Sequence, residues 1–171
     1  YIERRNLLKC RYVIGRTNWD KRISSILAPL SKYLSGEEIL RDAFYNKEWQ
    51  HTDPFDTLIL HTTTSNGFYK GFETICLALH ELINLHVKIE WRIAGLTESD
   101  LIVQVTKKFL GQKFPQKGLL YLGNLNEEML AGKLLEADIY VMPSHIENSS
   151  NSLCEAMILG LPCIAAYSGG T

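Results

Sequence analysis

The densest chemistry in the chain lies in residues 144–157, which read Ser144-His145-Ile146-Glu147-Asn148-Ser149-Ser150-Asn151-Ser152-Leu153-Cys154-Glu155-Ala156-Met157. Two glutamates stand eight positions apart, Glu147 in a loop and Glu155 inside the helix that follows. Between them, Asn148, Ser149, Ser150, Asn151 and Ser152 supply small hydroxyl and amide groups around the helix start. A helix N-terminus presents N–H groups and a partial positive charge, a seat for a phosphate or a sugar oxygen. A carboxylate just inside that helix accepts two hydrogen bonds from a vicinal diol such as a ribose. The same residues also suit ordinary capping, with Asn and Ser as caps and Glu155 as a first-turn partner of the helix dipole. His145 and Glu147 are metal-ligating types without a third, so His145 is read as lining a pocket or facing solvent.

A second cluster, Asn66-Gly67-Phe68-Tyr69-Lys70-Gly71, follows the apolar run that ends near His61. Lys70 falls at an expected helix start, where the dipole disfavours a cation. A diphosphate would reverse that penalty, since one lysine–phosphate contact near the surface carries roughly 4 kcal/mol of raw Coulomb attraction. A solvated loop lysine is the plain alternative. The phosphate loop GxxxxGK[ST] is absent, and so are the glycines of a dinucleotide fingerprint.

Both clusters need elements to hold them. Short β-branched and aliphatic runs at residues 11–17, 56–63, 87–95, 119–123, 138–144 and 162–167 predict strands. The second, third and fifth are apolar nearly throughout, as strands covered on both faces are. Helical periodicity fills residues 71–86, 98–110, 126–136 and the segment from about 149–152 to Gly160. Strand alternating with helix from residue 56 onward predicts crossover units and a parallel α/β sheet of Rossmann type, with helices on both faces. Ligands of such sheets lie at the carboxyl ends of strands. That rule sets residues 61–70, 95–99 and 144–152 along one rim. Residues 1–50 read differently: one strand-like run, helical stretches over 22–33 and 37–45, then a polar linker over 46–53 before Pro54. The expected division is 1–50 and 51–171.

Composition narrows the function. The chain has 171 residues, 18 Lys and Arg against 19 Asp and Glu, and a net charge of -1. That balance argues against the electrostatic grip on phosphate backbones that nucleic-acid binders need. With 46% hydrophobic and 22% charged residues, a substantial core is expected. No apolar run approaches the roughly 20 residues that cross a bilayer. Cys10, Cys76, Cys154 and Cys163 form no CxxC pair and read as buried thiols of a reducing compartment. Trp19, Trp49 and Trp91 read as packing residues. The chain begins at Tyr1 and ends on Ser168-Gly169-Gly170-Thr171, so it is expected to be part of a longer protein.

The order and content of these segments resemble the C-terminal, nucleotide-sugar-binding half of retaining GT-B glycosyltransferases of the group 1 family (glycosyltransferase family 4). The resemblance runs from about Asp56 to Thr171. It rests on Lys70-Gly71, Trp91-Arg92-Ile93-Ala94-Gly95, Tyr121-Leu122-Gly123 with Asn126-Glu127-Glu128-Met129, and the stretch from Glu136 to Ser144. It continues through Glu147-x7-Glu155, Glu155-Ala156-Met157-x-x-Gly160-x-Pro162 and Ser168-Gly169-Gly170-Thr171. Within residues 1–50, Gly15-Arg16-Thr17-Asn18-Trp19-Asp20 and Leu40-Arg41-x-x-Phe44-Tyr45 are similar to the tail of the N-terminal domain in capsule and lipopolysaccharide transferases.

The resemblance implies a nucleoside diphosphate sugar as donor, a glycan or lipid-linked acceptor, retention of anomeric configuration, and neither cofactor nor metal. Glu155 would hold the ribose hydroxyls, Glu147 would face the donor sugar, and residues 148–152 would cradle sugar hydroxyls and phosphate. Lys70 would neutralise the diphosphate leaving group. The family's arginine five or six positions before that lysine is replaced here by Thr64 and Ser65, which offer hydroxyls without charge. The Gly-Phe-Gly that usually follows the first glutamate is Asn148-Ser149-Ser150. A cytoplasmic location is implied, at the inner face of the membrane if the rest of the N-terminal domain associates with it. The rival readings are a binding module without turnover and an epimerase or phosphorylase of the same fold.

Overall fold

The computed structural model describes residues 2–37, 39–51 and 56–171; Thr52, Asp53 and Pro54 of the expected linker region lie outside the described residues. Two compact units emerge, one from Tyr1–Ile39, Ile146–Ser150 and Tyr167–Thr171, the other from Leu40–His145 and Asn151–Ala166. The smaller holds α1 (Ile2–Leu7), β1 (Tyr12–Gly15), α2 (Asn18–Leu27) and β2 (Lys32–Ser35). Strands β1 and β2 pair in parallel, Tyr12 opposite Lys32 and Gly15 opposite Ser35. A capping box starts α2: the Asp20 N–H donates to Thr17 Oγ1, and the Thr17 N–H donates back to the Asp20 carboxylate.

The helix expected over residues 22–33 is therefore displaced. It begins four residues earlier, at Asn18, and stops at Leu27, because Pro29 bars Ala28 from the helical region. Lys32–Ser35 is strand, since pairing with β1 satisfies its backbone groups and overrides the local period. Glu38 of the helix expected over residues 37–45 lies outside the described residues; the described part of that range holds only a 3₁₀ turn at Asp42–Phe44, whose Ala43 and Phe44 are buried against the larger unit's core. Cys10 is exposed rather than buried, in the turn after α1 with Sγ on the Asn6 carbonyl; Cys76 is buried, and Cys154 and Cys163 are half-buried.

The larger unit alternates β3 (Leu58–Thr63), α3 (Phe72–Asn84), β4 (Ile89–Ala94), α4 (Leu101–Leu110), β5 (Leu119–Gly123), α5 (Glu127–Leu135), β6 (Ile139–Met142), α6 (Asn151–Ile158) and β7 (Cys163–Ala165). All neighbouring strands are parallel, in the order β5-β4-β3-β6-β7. The chain thus builds outward from β3 to β5, then returns to β3's other edge with β6. The carboxyl ends of β3 and β6 flank the point where the order reverses, the place where open α/β sheets take their ligands.

Side-chain alternation splits the core between the two faces of this sheet. Leu60, Trp91 and Ile93 point toward α3 and α4, joining Phe72, Ile75, Cys76, Leu79, Ile102 and Val103. Tyr140 and Met142 point the other way, toward Leu130, Ala131 and Leu134 of α5 and Leu153 and Ala156 of α6. Ile75 and Leu79 are fully buried, each contributing about 1.5–3 kcal/mol by leaving water. His61 lies on the α5–α6 face with no exposure, stacked on Tyr140 at 6.4 Å between ring centroids. Burial, followed by the Arg92 charge, lowers its pKa to about 4, so it is neutral at pH 7. Trp49 belongs to this unit as well: its indole donates to the Ala137 carbonyl and its N–H to that of Leu159. Among the described residues no helix is long and apolar enough to cross a membrane.

Candidate functional site

The segment after β3 is shaped by close backbone approaches. The Thr64 N–H extends the ladder by donating to the Ala94 carbonyl, and Gly95, at φ 91°, lies so near that a Cβ there would be 2.0 Å from the Thr64 carbonyl oxygen. Asn66 accepts a hydrogen bond from the Ile102 N–H at the start of α4. Phe68–Lys70 is a 3₁₀ turn, and Gly71, at φ 73°, is the N-cap of α3. A Cβ on Gly71 would be 2.2 Å from the Pro143 carbonyl oxygen. The His145 N–H donates to the Tyr69 carbonyl at 2.8 Å, and the His145 ring meets the Glu73 carboxylate in α3's first turn. The lysine loop is thus stitched to the chain that leaves β6.

Lys70 sits one residue before the N-cap of α3, close to the helix start expected for it, with its ammonium 5.3 Å from the Tyr69 ring centre. The two residues standing where an arginine was expected differ. Thr64 keeps Oγ1 buried without a hydrogen-bond partner among the described residues, whereas Ser65 is exposed.

Helix α6 begins at Asn151, with Ser152 next to it. Glu155, one turn further, is 2% exposed. Its carboxylate is gripped by Arg41, Nε to Oε1 and Nη2 to Oε2 both at 2.7 Å, while the guanidinium lies 5.1 Å from the Phe44 ring centre. The hydrogen bond to Glu155 raises the Arg41 pKa further. The sequence alone gives Arg41 no role; its one signal is the Leu40-Arg41-x-x-Phe44-Tyr45 motif, which the resemblance attributes to the tail of the N-terminal domain.

Of the expected site residues, Thr64, Ser65, Lys70, His145, Asn151, Ser152 and Glu155 belong to the larger unit, and Glu147, Asn148, Ser149 and Ser150 to the smaller. Within the smaller unit the Glu147–Ser149 backbone is held from two sides. Thr17 Oγ1 donates to Asn148 Oδ1 at 2.7 Å, Asn148 Nδ2 donates to the Asp20 carboxylate at 3.0 Å, and Arg16 Nη2 donates to the Ser149 carbonyl at 3.2 Å. From the other side the Gly170 N–H donates to the Glu147 carbonyl at 2.9 Å, and a Cβ on Gly169 would be 1.9 Å from that oxygen. Two motifs far apart in sequence, Gly15-to-Asp20 and Gly169-Gly170, therefore fix one loop. Burial pushes the Asp20 pKa upward, but hydrogen bonds from Tyr33, Arg16, Asn148 and Thr17 outweigh it and bring the value down to about 2. Burial and the Asp20 charge push its partner Tyr33 up to about 12. Among the described residues, no group of three or more His, Cys, Asp and Glu side chains could hold a metal ion.

Comparison with known proteins identifies the fold and the family. The family "Glycosyl transferases group 1" matches residues 50–171; no curated protein matches. Sucrose-phosphate synthase from Thermosynechococcus elongatus superposes with a TM-score of 0.79 at 18% identity, over 99% of this chain and 44% of that one. A glycosyltransferase from Rickettsia africae ESF-5 gives 0.74 at 17% identity, over 96% and 46%. Anabaena HepE, solved in complex with UDP-glucose, gives 0.68 at 17% identity, over 94% and 46%. The chain spans less than half the length of each. The likeness is one of fold, the α/β sheet of GT-B glycosyltransferases. With the family matching well over half of its residues, the chain belongs to the group 1 glycosyl transferases.

Proposed function

We propose that the chain forms the donor-binding part of a retaining glycosyltransferase that moves a sugar from a nucleoside diphosphate sugar to a glycan or lipid-linked acceptor, in the building of a capsule, lipopolysaccharide or similar polysaccharide in the cytoplasm. One observation carries this reading: the lysine loop after β3 is stitched, through Tyr69–His145 and Gly71–Pro143, to the segment leaving β6, at the switch point of the parallel sheet. Lys70 supplies the charge that meets a departing diphosphate, with the Thr64 hydroxyl as a further donor. The N–H groups of Asn151 and Ser152 add the positive end of α6. Glu155, one turn inside that helix, takes the ribose hydroxyls, and Glu147 faces the transferred sugar. Charge held in place before the bond breaks lowers the barrier more than mobile water does. Retention requires the acceptor hydroxyl on the face the diphosphate leaves, which a closed cleft enforces by proximity.

The test is sugar transfer by the longer protein from UDP-, GDP- and ADP-hexoses, with and without a lipid-linked glycan acceptor. Acceptor-dependent release of the nucleoside diphosphate with retained configuration supports the reading. Tight nucleotide binding without transfer by the longer protein would support a binding module instead, a rival favoured by the uncharged Thr64 and Ser65.

A further inference from the structure

The carboxylate assigned to the ribose is closed off in this structure. Glu155 is 2% exposed and both its oxygens are taken by the Arg41 fork at 2.7 Å, while the Arg41 side chain itself is 43% exposed. Arg41 is therefore the cover: solvent and ligand reach the guanidinium before they reach the carboxylate. A bidentate arginine uses one lone pair on each oxygen, and the burial of Glu155 leaves the remaining ones out of reach of a diol. Arg41 stands in extended conformation just before the 3₁₀ turn at Asp42–Phe44, with φ -68° and ψ 143°, and rests on the Phe44 ring.

We propose that Arg41 is the standing partner of Glu155, and that a nucleotide's ribose diol binds by displacing it, two hydroxyl donors replacing the two guanidinium donors. The inference rests on the assignment of Glu155 to the ribose. The exchange keeps two hydrogen bonds on the buried carboxylate but trades a cationic partner for neutral hydroxyls, a cost that the nucleotide's other contacts must offset. It also makes Arg41 a competitor: nucleotide affinity is scaled down to the fraction of protein in which the fork is open. A ligand without ribose hydroxyls has nothing to offer the carboxylate and leaves Arg41 in place.

The experiment is calorimetric titration of this chain with UDP, GDP and ADP, followed by the 2',3'-dideoxy form of the one that binds best. In Arg41→Ala the ribonucleotide is expected to bind at least about threefold more tightly, because the closed fork no longer competes for the carboxylate. The dideoxy form should bind unchanged, and the same substitution in a Glu155→Gln background should have no effect. Because Arg41→Ala strips a buried carboxylate of its partner, a second measurement uses the unaltered protein. The Arg41 Nε–H resonance, assigned by its loss in Arg41→Lys, should move upfield and lose exchange protection as the ribonucleotide saturates. Weaker or equal ribonucleotide binding by Arg41→Ala, or an Nε–H signal unmoved at saturation, overturns the exchange. Those results leave the ribose assignment standing if Glu155→Gln abolishes discrimination against the dideoxy form. Retained discrimination in Glu155→Gln overturns the ribose assignment itself.

Discussion

Replacing Gly71 with alanine tests whether the lysine loop is held by its approach to β6. Gly71 is at φ 73°, and a Cβ there would stand 2.2 Å from the Pro143 carbonyl oxygen, a backbone atom with no flexible end to swing aside. The left-handed conformation costs a non-glycine residue roughly 1–2 kcal/mol, and relieving the overlap by moving packed backbone costs about 1–3 kcal/mol more. The expected loss is about 2–5 kcal/mol of unfolding free energy, read from urea denaturation followed by the fluorescence of buried Trp91. Gly132→Ala is the matched control. That glycine lies inside α5 with nothing within 4 Å of an added Cβ, so the same chemical change should stabilise by roughly 0.5–1 kcal/mol. Opposite signs at the two sites are the signature. If Gly71→Ala lowers stability by less than about 1 kcal/mol, the stitch between loop and β6 is not as close as drawn.

Three further outcomes follow from the same geometry. Lys70→Ala should weaken binding of a nucleoside diphosphate at least tenfold more than that of the nucleoside, both measured by calorimetry; equal losses would mean that Lys70 supports the loop without meeting phosphate. His61, neutral and buried with a folded pKa near 4 against an ordinary 6.5, takes up its proton preferentially when unfolded. Stability should therefore fall as pH drops from about 6.5 to 4, by up to about 3 kcal/mol, and His61→Phe should flatten that slope in urea titrations. Asp20, held near 2, contributes stability present above its unfolded pKa of about 3.8 and lost as pH falls toward 2. Asp20→Asn should remove that part of the acid dependence and loosen the Glu147–Ser149 backbone, read as faster amide exchange there.

The larger unit was the legible part because its strands are continuous apolar runs and its helices have clean periods and stops, such as Gly160-Leu161-Pro162 after α6. Periodicity failed where tertiary pairing decided the conformation: Lys32–Ser35 carries no strand signature of its own and is a strand through its pairing with β1. It failed again at residues 37–45, where burial of Ala43 and Phe44 holds a 3₁₀ turn in place of a helix. Residues 64–71 and 144–155 were legible as polar clusters because their members are neighbours in sequence. The partners that hold those residues were not. Arg41 lies 114 positions from Glu155, and Thr17 lies 131 from Asn148, and no local spacing encodes contacts of that range. Thr64 and Ser65 looked equivalent as hydroxyls; only burial separates them.

The central claim is that Glu155, one turn inside α6, receives the ribose of a nucleoside diphosphate. Calorimetric titration of the chain and of Glu155→Gln with UDP, GDP and ADP and their 2'-deoxy forms tests it most directly. The account predicts that one ribonucleotide binds in preference to its deoxy form, and that Glu155→Gln loses about 1.5–3 kcal/mol of that affinity together with the preference. A preference for the ribonucleotide that survives unchanged in Glu155→Gln would contradict it.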